Sequence, residues 1–185
     1  IGDILIHDWK RRLVFWTGAI SVGLVAILFA VASEWADDSF HRLLGVSPYL
    51  PLLITPLGFA LIVYLTRKYF PGSQGSGIPQ TIASLDPKEN SAIREQVLSL
   101  RVAFGKVLLT IGGFFFGASV GREGPTVQIG ASIMHSLGRF THFPQHDIDK
   151  GLILAGAAAG VAAAFNTPLA GIVFAIEELS RSFEE

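Results

Sequence analysis

Gly121-Arg122-Glu123-Gly124-Pro125 carries the side chain of greatest chemical consequence, because it sets an ionisable carboxylate in an apolar stretch. Val107–Gly121 before it is uncharged, and Thr126–Gly138 after it has no Asp, Glu, Lys or Arg. A charge at the bilayer centre costs at least ~2.5–3.5 kcal/mol, so a glutamate kept there is a functional candidate by default. The chemistry open to it is alternation between an anion mimic and a neutral acid. Gly121 and Gly124 let the backbone turn sharply and approach a ligand, and Pro125 suits the first turn of a helix. A Gly-lined helix start aims free N–H groups at an anion.

Gly72-Ser73-Gln74-Gly75-Ser76-Gly77-Ile78-Pro79-Gln80 repeats the design, with a Gly-rich turn followed by Pro79 at a helix start. Taken alone it reads as a cytoplasmic loop. Thr81-Ile82-Ala83-Ser84-Leu85, which follows, is apolar enough for membrane depth. Asn166-Thr167-Pro168 supplies a third interrupted start. Helices broken by Gly and Pro in a membrane chain point to an ion site near the midplane. An anion there meets N–H groups, the positive end of a helix dipole and the Ser76 hydroxyl, with no full positive charge to trap it. Weak multiple contacts suit conduction, since the ion must also leave.

The elements that must position these groups are membrane helices. Half of the 185 residues are hydrophobic, 16% are charged and the mean hydropathy is +0.50, well away from an ordinary soluble composition. Leu13–Ser33 is uncharged and long enough to cross ~30 Å of hydrocarbon. Pro48–Thr66 is a second such stretch. Val102–Val120 is a third, interrupted by Lys106, whose long stem can carry its charge to the surface from near a helix end. Gly151–Ile176 reads as two shorter helices meeting at Asn166-Thr167-Pro168. Gly117-x-x-x-Gly121 and Gly156-x-x-x-Gly160 read as flat faces for close helix packing. The apolar runs are continuous rather than alternating, which argues against a membrane barrel.

Lys10, Arg11 and Arg12 precede the first span and Arg67 and Lys68 follow the second, while the loop expected at Glu34–Arg42 has three acids and one base. The positive-inside rule then puts the N-terminus in the cytoplasm. Asp86–Arg101 reads as a cytoplasmic loop and the polar start of a helix. The net charge of -1 gives no sign of a nucleic-acid partner. The absence of Cys excludes disulfides and thiolate chemistry. No His-Glu-x-x-His, Gly-x-Ser-x-Gly or phosphate-loop motif occurs, so no enzyme, cofactor or metal site is expected. The chain starts without Met and stops shortly after an apolar helix, with no removable signal peptide read at Ile1–Arg12; it is expected to be a piece of a longer protein.

Gly75-Ser76-Gly77-Ile78-Pro79, Gly121-Arg122-Glu123-Gly124-Pro125 and Phe165-Asn166-Thr167-Pro168-Leu169-Ala170-Gly171, leading into Ile176-Glu177-Glu178, resemble in order the signature segments of the CLC family of chloride channels and proton–chloride antiporters. The resemblance implies an all-α membrane fold of tilted and broken helices. Residues 1–185 would form the N-terminal half of its inverted-repeat architecture, with the second half absent. That half carries a Gly-x-Phe-x-Pro helix start and a late tyrosine in the family, so this chain alone should not close the pore. The resemblance also implies a homodimer of complete subunits, in the cytoplasmic membrane of a prokaryote, that moves chloride and protons. Ser76 matches the serine whose hydroxyl holds the central anion, with Gly77 beside it; serine there goes with chloride and proline with nitrate. Glu123 matches the gating glutamate, and the backbone of Arg122–Gly124 the outer anion site. Glu178 matches the inner proton-transfer glutamate of the antiporters, a position that is typically valine in the vertebrate channels.

On position alone, Glu177 and Glu178 read equally well as solvated acids at the membrane surface. Arg181, one turn on, is a candidate partner for Glu177. Arg122 is badly placed to neutralise Glu123, since neighbours at a helix start point apart. His135 reads as a packed or interface histidine, because no second ligand stands at metal spacing. His7, His41, His142 and His146 read as surface residues, and Phe114-Phe115-Phe116 as a lipid or core face. Proton-coupled antiport and passive chloride conduction both remain open, and Glu178 weighs against the second.

Overall fold

The computed structural model describes the backbone of residues 2–85, 91–140 and 146–179. Among the described residues every regular element is helical. Helix α1 runs over Gly2–Val46 and α2 over Leu50–Tyr69. The expected loop at Glu34–Arg42 is absent: α1 continues through it, because no Gly or Pro occurs between Gly23 and Gly45. Pro48 then pushes Ser47 out of the helical region, which ends the helix. One stripe of this outer segment packs inward. Phe29, Ser33 and Ala36 are buried, Trp35 stacks on Phe115 with ring centroids 6.4 Å apart, and the Phe40 ring lies against Gly117.

Helices α3 (Ile78–Leu85) and α4 (Ser91–Val97) are short, and α5 covers Leu100–Phe115. Ser99 caps α5 by accepting the Val102 N–H at 3.3 Å, and a capping side chain of this type stabilises a helix by about 1 kcal/mol. The third apolar stretch ends five residues earlier than its composition implies, since Phe116–Arg122 forms a turn with Gly117 at φ 84°. Gly117-x-x-x-Gly121 is therefore no packing face of a helix. Gly117 instead supplies a backbone conformation that other residues avoid.

Helix α6 spans Glu123–Phe140, α7 His146–Phe165 and α8 Pro168–Phe174, followed by a π-helical turn at Ala175–Leu179. The break at Asn166-Thr167-Pro168 falls where the sequence placed it. Asn166 takes the left-handed conformation at φ 53°, a common way to end a helix, and Pro168 opens α8. Among the described residues, three helical segments are long and apolar enough to cross a membrane, Arg12–Val46, Leu50–Tyr69 and Arg94–Phe115, the last running from α4 through α5. The outward faces of α1 and α2 carry large apolar side chains, as a lipid-facing surface does.

The core is built around α6, which is enclosed on two sides. One cluster joins Leu85, Leu98, Val127, Ala131, Ile153, Ala157 and Val161, and the other Val22, Phe29, Ala103, Ile129, Met134 and Leu152. Helices α6 and α7 cross with backbones almost touching. A Cβ on Gly130 would strike the Gly156 carbonyl, one on Gly156 the Gly130 carbonyl, and one on Gly160 the Thr126 carbonyl. Gly156-x-x-x-Gly160 is thus the packing face the sequence indicated. Gly156→Val must push α6 and α7 apart. An overpacking cost of ~1–3 kcal/mol should lower the thermal unfolding midpoint of the complete protein in detergent, and an unchanged midpoint would contradict this packing.

Candidate functional site

Two of the three interrupted starts come together. A Cβ on Gly124 would sit 2.6 Å from the Ser76 carbonyl oxygen and 3.1 Å from Ser76 Cβ. A Cβ on Gly77 would sit 2.6 Å from the Gly124 carbonyl oxygen and 2.9 Å from Gln128 Cβ. Glycine at both positions is thus what lets the starts of α3 and α6 meet. Ser76, Gly121, Glu123, Gly124 and Pro125 line one cleft of about 1240 Å³, whose far wall is the Phe59–Thr66 face of α2 and the Lys106–Gly113 face of α5.

At the start of α6, Thr126 N–H and Oγ1 both donate to the Arg122 carbonyl, at 3.1 and 2.7 Å. The N–H groups of Arg122, Glu123 and Gly124 meet no acceptor among the described residues, the usual state of a helix N-terminus that awaits a ligand or water. Glu123 folds its carboxylate back over Gly121, where an added Cβ would collide with Oε2. Arg122 points elsewhere: Nη1 donates to Glu34 Oε1 at 3.0 Å and to the Ala30 carbonyl at 3.2 Å. Its side chain ties α6 to α1 and leaves Glu123 without a cation at ion-pair distance among the described residues.

The turn that carries Ser76 is held by side chains from three helices. Gln80 Oε1 accepts the Gly77 N–H at 3.0 Å while Nε2 donates to the Gln74 carbonyl at 2.8 Å. This is the return half of a capping box, in which the third helical residue reaches back to the cap. Gly77 therefore brings close approach to the site, its N–H being already occupied. Gln128 Nε2 donates to the Gly72 carbonyl at 3.0 Å and to the Val97 carbonyl at 2.9 Å. Arg94 Nε donates to the Ser84 carbonyl at 2.9 Å at the end of α3, where a cation complements the dipole. Ser76 Oγ and the N–H groups of Gly75 and Ser76 meet no acceptor among the described residues.

Lys106 does not snorkel. It is 2% exposed, and Nζ donates to the Gly75 carbonyl at 2.9 Å and the Gln74 carbonyl at 3.3 Å. Sequence reasoning allowed it only to snorkel, although the rule that singled out Glu123, a charge inside an apolar run, applies equally. Gln80, Gln128 and Arg94 carried no comparable signal.

The third start stands apart from this cleft. Phe165 and Leu169 are exposed, and α8 packs on α7 through Gly171 against Ala158 and Ala162. Glu178 lies in the π-helical turn, an irregularity frequent at functional sites; its side chain, like Arg181, His7 and His142, lies outside the described residues. Glu177 and His41 are exposed and His135 is buried, and His146 opens α7.

Spanning helices together with Gly-rich helix starts that converge on one cleft define an integral membrane protein of the interrupted-helix kind. Residues 58–185 match the family described as voltage gated chloride channel, and the chain belongs to that family, the CLC family. Two solved structures share its fold. A slow cyanobacterial Cl-/H+ antiporter is 29% identical with a TM-score of 0.75, over 95% of this chain and 42% of the other. A CLC-type fluoride/proton antiporter is 26% identical with a TM-score of 0.69, over 90% of this chain and 39% of the other. The chain thus spans less than half the length of either.

Proposed function

We propose that this chain forms the N-terminal half of a chloride–proton antiporter in which Glu123 gates the anion path. The meeting of the α3 and α6 starts carries the reading. It brings Ser76, Glu123 and Gly124, the last two with N–H groups that meet no acceptor among the described residues, to one cleft. Hydroxyl and amide donors at two helix N-termini attract an anion without a contact ion pair. The Glu123 carboxylate is itself an anion on the same path. When ionised it competes with chloride; when protonated it does not. Glu178 relays protons on the cytoplasmic side. The complete protein is a homodimer in a prokaryotic cytoplasmic membrane with a cytoplasmic N-terminus, as the CLC resemblance and the positive charges at Lys10–Arg12 support.

Anion selectivity tests the reading. Ser76→Pro in the complete protein removes the hydroxyl donor, and in reconstituted liposomes the chloride-over-nitrate flux ratio should fall severalfold, on the scale of one hydrogen bond of ~0.5–1.5 kcal/mol. Flux with an unchanged ratio would remove Ser76 from the site. A passive chloride channel is the second reading, favoured by the description of the matched family; it predicts chloride flux with no uphill proton movement.

A further inference from the structure

The residue before Glu123 is an arginine that stays out of the cleft. Arg122 is not among the side chains that line it; its Nη1 donates instead to Glu34 Oε1 at 3.0 Å and to the Ala30 carbonyl at 3.2 Å. Ala30 and Glu34 stand four residues apart in α1, hence on one helix face, and a single turn grips the guanidinium. The bond to the carboxylate is charge-assisted and about twice as strong as a neutral one.

The gripping turn is itself fixed. Ser33 and Ala36, close to Glu34 in the chain, are buried, the Trp35 ring stacks on Phe115, and the Phe40 ring lies against Gly117. This part of α1 therefore holds the chain between Phe115 and Arg122 at three points, and Glu123 comes next. The two ring contacts set where that chain runs. The contact from Glu34 decides where a charge goes.

Stability is not what the pair supplies. The Arg122 and Glu34 side chains are 38% and 68% exposed, and exposed pairs contribute only ~0–1 kcal/mol. What it supplies is distance. An opposite charge within ~4–6 Å of a carboxylate favours the ionised form, and Arg122 adjoins Glu123 in the chain on a long, flexible stem. The other charges around the start of α6 do not depend on Glu34. Arg67 and Lys106 line the cleft; Lys106 is bound to the Gln74 and Gly75 carbonyls, and Arg101 of the same helix to the Tyr69 carbonyl. On α1, Asp37 lies 3.5 Å from His41, while Asp38 and Arg42 are exposed. Helix α3 has no charged residue, and those of α7 end at Lys150.

We infer that Glu34 is a positioning residue of the gate: with the Ala30 carbonyl it anchors the Arg122 guanidinium on α1 and keeps that charge from Glu123. This rests on the reading of Glu123 as the gate. In that reading ionised Glu123 competes with chloride, so chloride flux rises as pH falls. A cation brought to Glu123 favours the ionised form, and the rise must then move to lower pH.

The experiment measures chloride flux against pH for the complete protein in liposomes, with Glu34→Gln, Arg122→Gln and the two combined. Both side chains reach solvent, so the variants should fold. Glu34→Gln should move the midpoint of the flux rise about one pH unit lower, a tenfold change in proton activity. Removing the Glu34 charge also acts on Glu123 directly and in the same direction, and the combined variant isolates that part. With no guanidinium to release, adding Glu34→Gln to Arg122→Gln should shift the midpoint by less than about a third of a unit. A merely structural pair would change the yield of folded protein and leave the midpoint alone. A wild-type midpoint in Glu34→Gln overturns the inference, as does an equal shift with and without Arg122. Wild-type chloride flux that does not vary with pH overturns the gating reading itself, and the inference with it.

Discussion

Glu123→Gln should leave a protein that moves chloride and no longer moves protons. The amide copies the shape and hydrogen-bonding size of the protonated acid but can neither ionise nor carry a proton onward. Ionised Glu123 is an anion at the head of α6, where dipole and free N–H groups favour negative charge. In the proposed scheme chloride seeks the same place, so only one of the two would occupy it at a time. That exclusion is the physical basis for exchange. Arg122 does not short-circuit it, because its guanidinium is engaged by Glu34 and the Ala30 carbonyl on α1. Glu123→Ala removes the competing group outright and should leak chloride in the same uncoupled way. The check is a chloride gradient across liposomes that contain the complete protein, followed with a pH electrode. Wild type should drive protons uphill and both variants should not. Proton pumping retained in Glu123→Gln would falsify the gating role.

The fold was legible in the sequence wherever a local rule decided it. Asn166-Thr167-Pro168 broke the last apolar run because Asn tolerates the left-handed conformation and Pro cannot continue a helix from its own N–H. Gly156 and Gly160 announced close packing because spacing by four puts both on one helix face. The acids of Glu34–Arg42 were misleading, since exposed charges on one side of a helix resemble a loop by composition. The periodicity of Phe29, Ser33, Ala36 and Phe40, spaced four, three and four, was the better guide and is helical.

The site was half legible. Ser76 and Glu123 each sat in a Gly-rich helix start, but nothing local says that Gly77 and Gly124 are pressed together; that contact is made by the packing of α3 on α6. The same limit explains Gln80 and Gln128, which are ordinary glutamines until the fold brings backbone carbonyls to them. The third start, by contrast, looked equivalent to the other two in sequence and is not, because α8 lies against α7 away from the cleft.

Glu178→Gln should separate the two currents from the other side, abolishing proton coupling while chloride flux persists. In the proposed scheme a proton bound for Glu123 from the cytoplasm needs a path, and anions held at the helix starts would block the one they use themselves. A second titratable group off that path meets the requirement. Glu178 sits in the π-helical turn that follows α8, and no residue of α8 lines the cleft. Its removal takes away no anion contact named above, so Ser76 and the α6 start should still pass chloride. The Glu123 variants lose coupling and gain leak, whereas Glu178→Gln should lose coupling with the chloride-dependent rate kept within about threefold of wild type, since no transition-state contact worth ~0.6 kcal/mol or more is removed. If Glu178→Gln pumps protons at the wild-type rate, the relay lies elsewhere. If the wild type itself moves chloride but never drives protons uphill, passive conduction is the correct reading, and Glu178 is a solvated acid at the end of a membrane helix.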